Sequence, residues 1–380
     1  MKKILVSPQQ FKESLTGLEI ANSMENGILK VWPNSRIKKI PVADGGDGTL
    51  ETLVNNSNGE IKSTIVDNSN FEKIKTEWGA LGDKQTAIIE VARVIGLSKI
   101  SNDKRDVMKA SSYGIGSIFK EALSQGFRNF IVPVGGSATN DGGAGLLQSL
   151  GVSLKNKLGE EIGYGGKELL SLDHIDISGL DERMKEATIM VACDVSNPLC
   201  GPRGASAIYG PQKGATFEQV NILDDALLNF SEIIKRDLGK DVADIPGAGA
   251  SGGIGAGLMA FFSSELRLGS DIVLEILDIE KHIADSDLII VGEGQVDRST
   301  VFNKSPVAVS RIAKKYNKPV ICIAGSLGAG FKEVHSHGID AVFSLLNRPM
   351  SLQNAMKDTS RLVEIATEQA CRSIDINLIN

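Results

Sequence analysis

The sequence predicts an α/β protein whose sheets are largely parallel, and three observations support this prediction. Short apolar runs typical of buried strands alternate along the chain with helical patterns. Glycine, aspartate, asparagine and serine cluster directly after those runs, where parallel sheets bind their ligands. The 380 residues exceed one ordinary core, since a domain takes about 150 residues, so we expect two or three domains.

The elements follow in chain order. Predicted strands cover residues 3–6, 37–42, 130–134, 188–192, 288–291 and 320–323. The first helix should begin near Thr16, where Glu19 completes a capping box, and another at Ser305, which is followed by a proline. Residues 59–81 alternate in hydrophobicity and predict antiparallel strands. Residues 220–238 form a predicted helix whose apolar stripe suits a core.

Composition narrows the function classes. The chain is 42% hydrophobic and 23% charged, with a net charge of -6, which argues against a nucleic-acid surface. No stretch approaches the ~18 apolar residues of a membrane span, and the apolar run at the start is too short for a signal peptide. We therefore expect a cytoplasmic protein without membrane or nucleic-acid partners. The four cysteines and four histidines show no zinc-binding spacing.

The most informative segment is residues 135–143, a glycine-rich loop between a predicted strand and a helix. Glycines allow a close approach to a ligand, and free N–H groups at a helix start attract anions. The alternative is a capped turn, but a cap needs only one polar residue, and this loop has four. We expect substrate or phosphate to contact Gly135, Gly136, Ser137, Thr139, Asn140 and Asp141.

A second glycine cluster tests for a dinucleotide site. Gly247, Gly249 and Gly252 match GxGxxG, but a polar segment ending in proline precedes them instead of a buried strand. This disfavours a dehydrogenase. Gly249 and Gly252 either open an anion-binding helix or allow a tight helix contact, and the sequence leaves both interpretations open. We include both glycines among the candidate substrate- or phosphate-binding residues.

Phosphoryl transfer requires a phosphate cradle, carboxylates for Mg²⁺, cations and a group that orients the acceptor hydroxyl. The chain has no GxxxxGK[ST] motif and no protein-kinase motifs. For any single charged residue, a solvated surface position is the default interpretation. Carboxylates nevertheless follow predicted strands at Asp44, Asp47, Asp141, Asp194, Glu293 and Asp297. Lysines stand in similar positions at Lys12, Lys213 and Lys304.

Six motifs in order resemble the bacterial glycerate kinase family, type 1, from one end of the chain to the other. SPQQFKESL and PVADGGDGT resemble its SPDSFKGSL and PxADGGEGT. GGSATNDGGAGLLQSLG is nearly identical to the family's loop. The remaining motifs are DVSNPL with GPQKGA, PGAGASGGIGAG, and GEGQVDRSTVFNKSP.

This resemblance implies ATP- and Mg²⁺-dependent phosphorylation of D-glycerate, usually giving 2-phosphoglycerate. It also implies a discontinuous Rossmann-like parallel-sheet domain, placed at residues 1–65 and 286–380. An α/β domain of residues 66–285 is inserted, and the active site lies in the cleft between the two domains. The sequence does not decide the oligomeric state, and a homo-oligomer stays open.

As a hypothesis for the mechanism, we assign roles to the candidate residues. The loop from Ser137 to Asn140 holds the carboxylate of glycerate, and Asp194 or Asp44 orients its hydroxyl. Glu293 or Asp297 holds Mg²⁺. Charge on the transferring group is neutralised by Lys12, Lys213 or Lys304. The nucleotide-binding residues are Gly292, Glu293, Gly294 and Lys304.

The chain departs from the family motifs at several positions. Gln9 and Gln10 replace Asp and Ser, and Ser299 lies in an altered pair. Asn303 replaces a glycine, and we expect it to preserve a left-handed turn. Two alternatives therefore remain: a kinase for another small hydroxy acid, and a catalytically silent relative that binds an organic acid.

Overall fold

The strands and helices alternate along most of the chain. This structure is a computed structural model and describes residues 1–302 and 304–375. The strands are β1 Lys3–Pro8, β2 Arg36–Lys39, β3 Glu60–Asp67, β4 Lys73–Ala80, β5 Thr86–Ile88, β6 Asn129–Pro133, β7 Ser153–Lys155, β8 His174–Asp176, β9 Thr188–Ala192, β10 Ser263–Arg267, β11 Leu288–Val296, β12 Val320–Leu327 and β13 Ala341–Ser344.

The helices have the following bounds: α1 Gly17–Val31, α2 Thr49–Asn56, α3 Val91–Ile95, α4 Tyr113–Ser124, α5 Ala144–Ser149, α6 Ala205–Tyr209, α7 Phe217–Leu238, α8 Ala250–Phe261, α9 Gly269–Ile276, α10 Ile279–Ala284, α11 Ser305–Lys315, α12 Leu352–Lys357 and α13 Thr359–Asp375. Within the described ranges, none of these helices combines the length and apolar character that a bilayer span requires.

The chain divides into two compact units at residues that differ from the predicted boundaries. The first unit is Met1–Asp44 with the described residues from Ser270 onward, and the second is Gly45–Gly269. The sequence placed the boundaries at 65 and 286. The first boundary moves because β3 pairs with β4 along its whole length, which makes β3 part of the second unit's sheet.

The first unit contains a five-stranded sheet in the order β13-β12-β11-β1-β2, with every pair parallel. Helix α1 begins with the predicted capping box of Thr16 and Glu19. It buries Ile20, Met24 and Ile28 in the core of this unit. Helix α13 packs closely on α1. The α/β class with parallel sheets is therefore confirmed.

Strand β11 is longer than predicted. The sequence ended this strand at Val291 and treated the following glycines as a loop, but the strand continues to Val296. It pairs with β12, which also extends further than predicted, to Leu327. Gly325 allows this extension, because a Cβ at this position would collide with the carbonyl oxygen of Gly294. As a result, Glu293 lies within a strand and is buried.

The second unit contains a six-stranded sheet in the order β10-β9-β6-β5-β4-β3. Strands β5, β6, β9 and β10 are parallel, and the predicted antiparallel pair within residues 59–81 is β3 and β4. The apolar stripe of α7 is buried as expected. The glycine-rich loop predicted at residues 135–143 joins the end of β6 to the start of α5.

Candidate active site

The first unit has a cavity of about 720 Å³ at the carboxyl ends of β1, β11, β12 and β13. We call it the first cavity. Its polar side chains include Gln9, Lys12, Asp44, Glu293 and Lys304. Its apolar side chains come mainly from the segment after β13, at Leu345, Leu346, Met350, Leu352 and Met356. Five predicted site residues therefore meet here: Lys12, Asp44, Glu293, Gly294 and Lys304.

A buried ion pair lies at the polar end of the first cavity. Glu293 is only 6% exposed, and its Oε1 accepts a hydrogen bond from Lys304 Nζ at 2.8 Å. Its Oε2 accepts one from the hydroxyl of Thr300 at 3.0 Å. Burial raises the pKa of Glu293, whereas Lys304 and Thr300 act to lower it. Since both partners orient the carboxylate, losing either would leave a buried charge poorly compensated.

Gln9 connects this end of the cavity to Asp44. Its side-chain Nε2 donates to Asp44 Oδ2 at 2.9 Å, and its main-chain N–H donates to the carbonyl of Gly292 at 2.9 Å. Gln9 is 8% exposed, and its Oε1 has no hydrogen-bond partner within the described part of the chain. An unpartnered buried acceptor beside two carboxylates is an oxygen set of the kind that Mg²⁺ prefers.

Asp297, a predicted metal ligand, is not among the residues that line the first cavity. Its Oδ1 accepts hydrogen bonds from the N–H and hydroxyl of Ser299 at 2.8 and 2.6 Å, and these bonds hold its pKa below the usual value. Its own N–H donates to the hydroxyl oxygen of Thr300, which in turn donates to Glu293. Asp297 therefore caps a turn and positions Thr300. Asn303 lies outside the described residues.

No group of three or more histidine, cysteine, aspartate or glutamate side chains suited to a metal ion occurs in residues 1–302 and 304–375. Mg²⁺ is commonly held by one or two carboxylates together with substrate phosphates. Asp44, Glu293 and the amide oxygen of Gln9 fit that kind of site.

The second unit has its own cavity, of about 270 Å³, at the carboxyl ends of β6 and β9. We call it the second cavity. Its glycine-rich wall contains Gly45, Gly46, Gly135 and Gly136. Its polar side chains are Ser137, Asp194, Tyr209, Gln212, Lys213 and Ser251. Predicted residues from the loop at 135–137 are thus brought together with Asp194 and Lys213.

Lys213 is a buried cation in the wall of the second cavity. It is 3% exposed, and its Nζ donates to the carbonyl of Thr139 at 2.5 Å and to Ser137 Oγ at 3.4 Å. Burial lowers the pKa of Lys213 to about 7, although the nearby Asp141 acts to raise it. Burial therefore makes the Lys213 amine a much weaker base than the amine of an exposed lysine.

Asp141 organises the loop from the inside. It is fully buried and accepts hydrogen bonds from the N–H and hydroxyl of Ser112, both at 2.8 Å. It also accepts from the N–H groups of Gly143 and Gly145 at 3.2 and 3.3 Å. Burial raises its pKa. These contacts explain Asp141 as a structural part of the loop.

Thr139 and Asn140 are also fully buried. The Nδ2 of Asn140 donates to Ser206 Oγ at 2.9 Å, and the carbonyl of Thr139 accepts from Lys213. Among the described residues, Thr139 Oγ1 and Asn140 Oδ1 have no hydrogen-bond partner. The loop therefore divides in two, because its first three residues line the cavity and its later residues lie in the interior.

Asp194 stands two residues beyond the end of β9. Its Oδ1 accepts a hydrogen bond from the N–H of Gly269 at 3.0 Å. Gly45 lies against it, since a Cβ built at Gly45 would lie 3.5 Å from Asp194 Oδ2 and 2.7 Å from Gly269 Cα. Gly45 itself has a φ of +92°, so only a glycine fits comfortably. The structure thus places one carboxylate in a wall made largely of backbone.

The second glycine cluster forms tight backbone contacts. A Cβ at Gly249 would collide with the carbonyl of Pro198, and a Cβ at Gly252 would collide with that of Thr139. Ser251, which has a φ of 54°, lines the second cavity and donates from its Oγ to the carbonyl of Val134 at 2.5 Å. Of the two interpretations that the sequence left open, close packing explains Gly249 and Gly252.

Comparisons with known proteins match this chain to one family along nearly its whole length. A family model described as the glycerate kinase family matches residues 4–375. The chain belongs to the glycerate kinase family. Glycerate kinase from Halalkalibacterium halodurans is 46% identical over 376 residues, which are 99% of this chain and 98% of that protein. Glycerate 2-kinase from Escherichia coli K12 is 45% identical over 378 residues, which are 100% and 99% of the two chains.

A crystal structure described as "putative glycerate kinase 2 from Salmonella typhimurium LT2" has the same fold. It has a TM-score of 0.92 and 43% identity, and the match covers 100% of both chains. The family resemblance that the six motifs predicted is therefore confirmed.

Sequence reasoning missed two parts of the cavities in this family member. The apolar segment after β13 was not singled out, although the short strand pattern of Ala341–Ser344 was a usable signal for another sheet edge. Gln9 was noted only as a departure from the family motif. Its contact with Asp44 joins positions that are far apart in sequence, so no local pattern could show it.

Proposed function

We propose that this protein transfers the γ-phosphoryl group of ATP to D-glycerate in the presence of Mg²⁺ and forms 2-phosphoglycerate. Relatives at 45–46% identity over nearly their whole length are named glycerate kinase and glycerate 2-kinase. One structural observation carries the assignment of roles. Each unit has a cavity at the carboxyl ends of parallel strands, and each cavity combines a carboxylate with a lysine.

We assign the nucleotide to the first cavity. Lys12 and Lys304 supply positive charge for the phosphates, and Gly294 allows the chain to approach them closely. Asp44, Glu293 and the Oε1 of Gln9 would hold Mg²⁺, which when bound neutralises phosphate charge. The contacts of Lys304 with Glu293 and of Gln9 with Asp44 orient these side chains before the nucleotide binds.

We assign D-glycerate to the second cavity. Its volume of about 270 Å³ suits a small acid, and the backbone of Gly135 and Gly136 can approach the carboxylate without obstruction by side chains. Ser137 and Lys213 supply a hydroxyl and a cation on the same wall. Asp194 accepts a hydrogen bond from the acceptor hydroxyl and orients it for attack. This choice favours Asp194 over Asp44, which the first cavity uses for the metal.

Phosphorus NMR of the product tests the reaction and its position together. We expect ATP, Mg²⁺ and D-glycerate to give a phosphomonoester signal split into a doublet by the lone proton on C2. A triplet would identify the 3-phosphate instead and contradict the proposed product. Omitting Mg²⁺ with EDTA present should abolish the signal.

Parallel ADP-release assays with tartronate and L-lactate test the acceptor. We expect D-glycerate to be turned over fastest. Faster turnover of another acid would identify a kinase for that acid, and no ADP release with any of them would identify a silent relative.

A further inference from the structure

The first cavity has an apolar wall that the phosphates and Mg²⁺ do not use. Leu346, Met350, Leu352 and Met356 form this wall, which lies in the segment between β13 and α13. Leu352 is 75% exposed and Leu346 is 43% exposed, so apolar surface is left open to solvent inside a cavity. Apolar surface in a pocket is stabilised when a ligand covers it.

The wall is attached to the loop that carries the cationic end of the cavity. Ser14 follows Lys12 by two residues, and its Oγ lies 2.7 Å from the hydroxyl oxygen of Thr359. The same Oγ donates to the carbonyl of Met356 at 3.2 Å. These bonds hold the end of α12 against the loop after β1. The apolar and cationic parts therefore belong to one connected frame.

The chemistry of the two ends selects the kind of ligand. The polar end carries Lys12 and the Lys304–Glu293 pair. Gln9 lies beside them and is 8% exposed, and its buried Oε1 has no hydrogen-bond partner within the described part of the chain. An inorganic polyphosphate would contact this end alone. A ligand with an anionic chain at one end and a flat apolar ring at the other would cover both ends.

We infer that the wall of Leu346, Met350, Leu352 and Met356 binds the heterocyclic base of the phosphoryl donor. A bare polyphosphate has no base and would contact only the polar end of the cavity. The inference rests on the proposed function for the location of the phosphates, and adds the subsite that holds the base. The aliphatic side chains pack against the face of the base, as in other mostly apolar ligand pockets.

The test compares the binding of ATP with that of inorganic tripolyphosphate by calorimetry. Leu352→Ala and Met356→Ala should each weaken ATP binding by about tenfold, because apolar contact with the base is lost. Both variants should bind tripolyphosphate as the wild type does. Equal weakening of both ligands, or unchanged ATP binding, would overturn the inference.

Leu158→Ala is the matched control, because Leu158 is 81% exposed and lies in the second unit. It should leave the binding of both ligands unchanged. Thermal unfolding of each variant checks the fold, and alanine suits a helix at position 352. In the kinetic assay, the wall variants should raise the KM for ATP without changing kcat or the KM for glycerate. A wild type that binds ATP but does not phosphorylate glycerate would contradict the proposed function and leave the base subsite standing.

Discussion

At the scale of single residues, Lys213 shows most clearly how position changes chemistry. Its sequence neighbours are ordinary, yet burial between Ser137 and Thr139 lowers its pKa to about 7. Asp141 is the charged group that opposes this effect. The consequence can be measured as a dependence of stability on pH.

The first prediction concerns Lys213→Met. Because the folded pKa of Lys213 is about 7 and an unfolded lysine titrates near ~10.4, the unfolded chain holds the extra proton between these pH values. The free energy of unfolding should therefore rise with pH above about 7. Below that pH, Lys213 is protonated in both states, and the folded state carries the full cost of burying the charge. Denaturant unfolding at pH 7, 8 and 9 should give a smaller rise for Lys213→Met than for the wild type. Lys157→Met, which changes an exposed side chain, is the control. Equal slopes in the wild type and Lys213→Met would contradict the prediction.

The second prediction concerns Asp194→Asn, which keeps the shape of the side chain and its ability to accept from the N–H of Gly269. We expect turnover of D-glycerate to fall by about 100-fold or more, since a group that orients the hydroxyl contributes on that scale. The free energy of unfolding should change by less than about 1.5 kcal/mol. Asp224→Asn is the control, because Asp224 accepts hydrogen bonds from the N–H of Gly201 in the same unit. Full turnover in Asp194→Asn would remove this residue from the mechanism.

At the scale of elements, the kink in α8 connects packing to the second cavity. Ser251, Gly252 and Gly253 all have positive φ within this helix, with φ of 54°, 68° and 93°. The kink lets Gly252 lie against the backbone of Thr139, whose carbonyl accepts the hydrogen bond from Lys213. The close packing of α8 therefore helps to hold in place the backbone carbonyl that binds Lys213.

The third prediction compares Gly252→Ala with Gly239→Ala. Both glycines have a φ of 68°, but a Cβ at Gly252 would collide with the carbonyl of Thr139, whereas nothing lies within 4 Å of one at Gly239. Gly239→Ala should cost about 1–2 kcal/mol from backbone strain alone. Gly252→Ala should cost at least ~3 kcal/mol, since the collision adds to the strain. Chemical denaturation measures the free energy of unfolding of both variants. Equal losses would show that the contact between Gly252 and Thr139 does not add to the cost.

At the scale of the whole molecule, each compact unit has its own sheet, core and cavity. This division separates the two substrates in our proposal. Nucleotide contacts come from the first unit, which contains both ends of the described chain, and glycerate contacts come from the second. Ligand binding should therefore stabilise different segments of the sequence.

The fourth prediction is a pattern of hydrogen exchange. A ligand at 100 times its Kd stabilises the state that binds it by about 2.7 kcal/mol. ATP with Mg²⁺ should slow amide exchange in residues 9–14, 292–296 and 345–356. D-Glycerate should slow it in residues 135–139 and 211–213. Protection of the second set by ATP alone would contradict the assignment of substrates to cavities, and a non-binding sugar serves as the control ligand.

The sequence by itself determined the α/β class, most strand positions, the capping box of α1 and the family, because dihedral preferences, periodicity and motifs are local properties. It also identified the strand ends where the cavities lie. Two local extrapolations differ from the structure: β11 was ended early, and the first domain boundary was placed at residue 65, inside β3.

Only the tertiary structure decided which polar residues face a cavity. It buried Asp141 as a support of the loop, left Ser137 at the cavity wall, and brought Gln9, Asp44 and Glu293 together from distant parts of the chain. Burial, hydrogen-bond partners and pKa values depend on which segments pack together, and the spacing of residues along the chain does not contain that information.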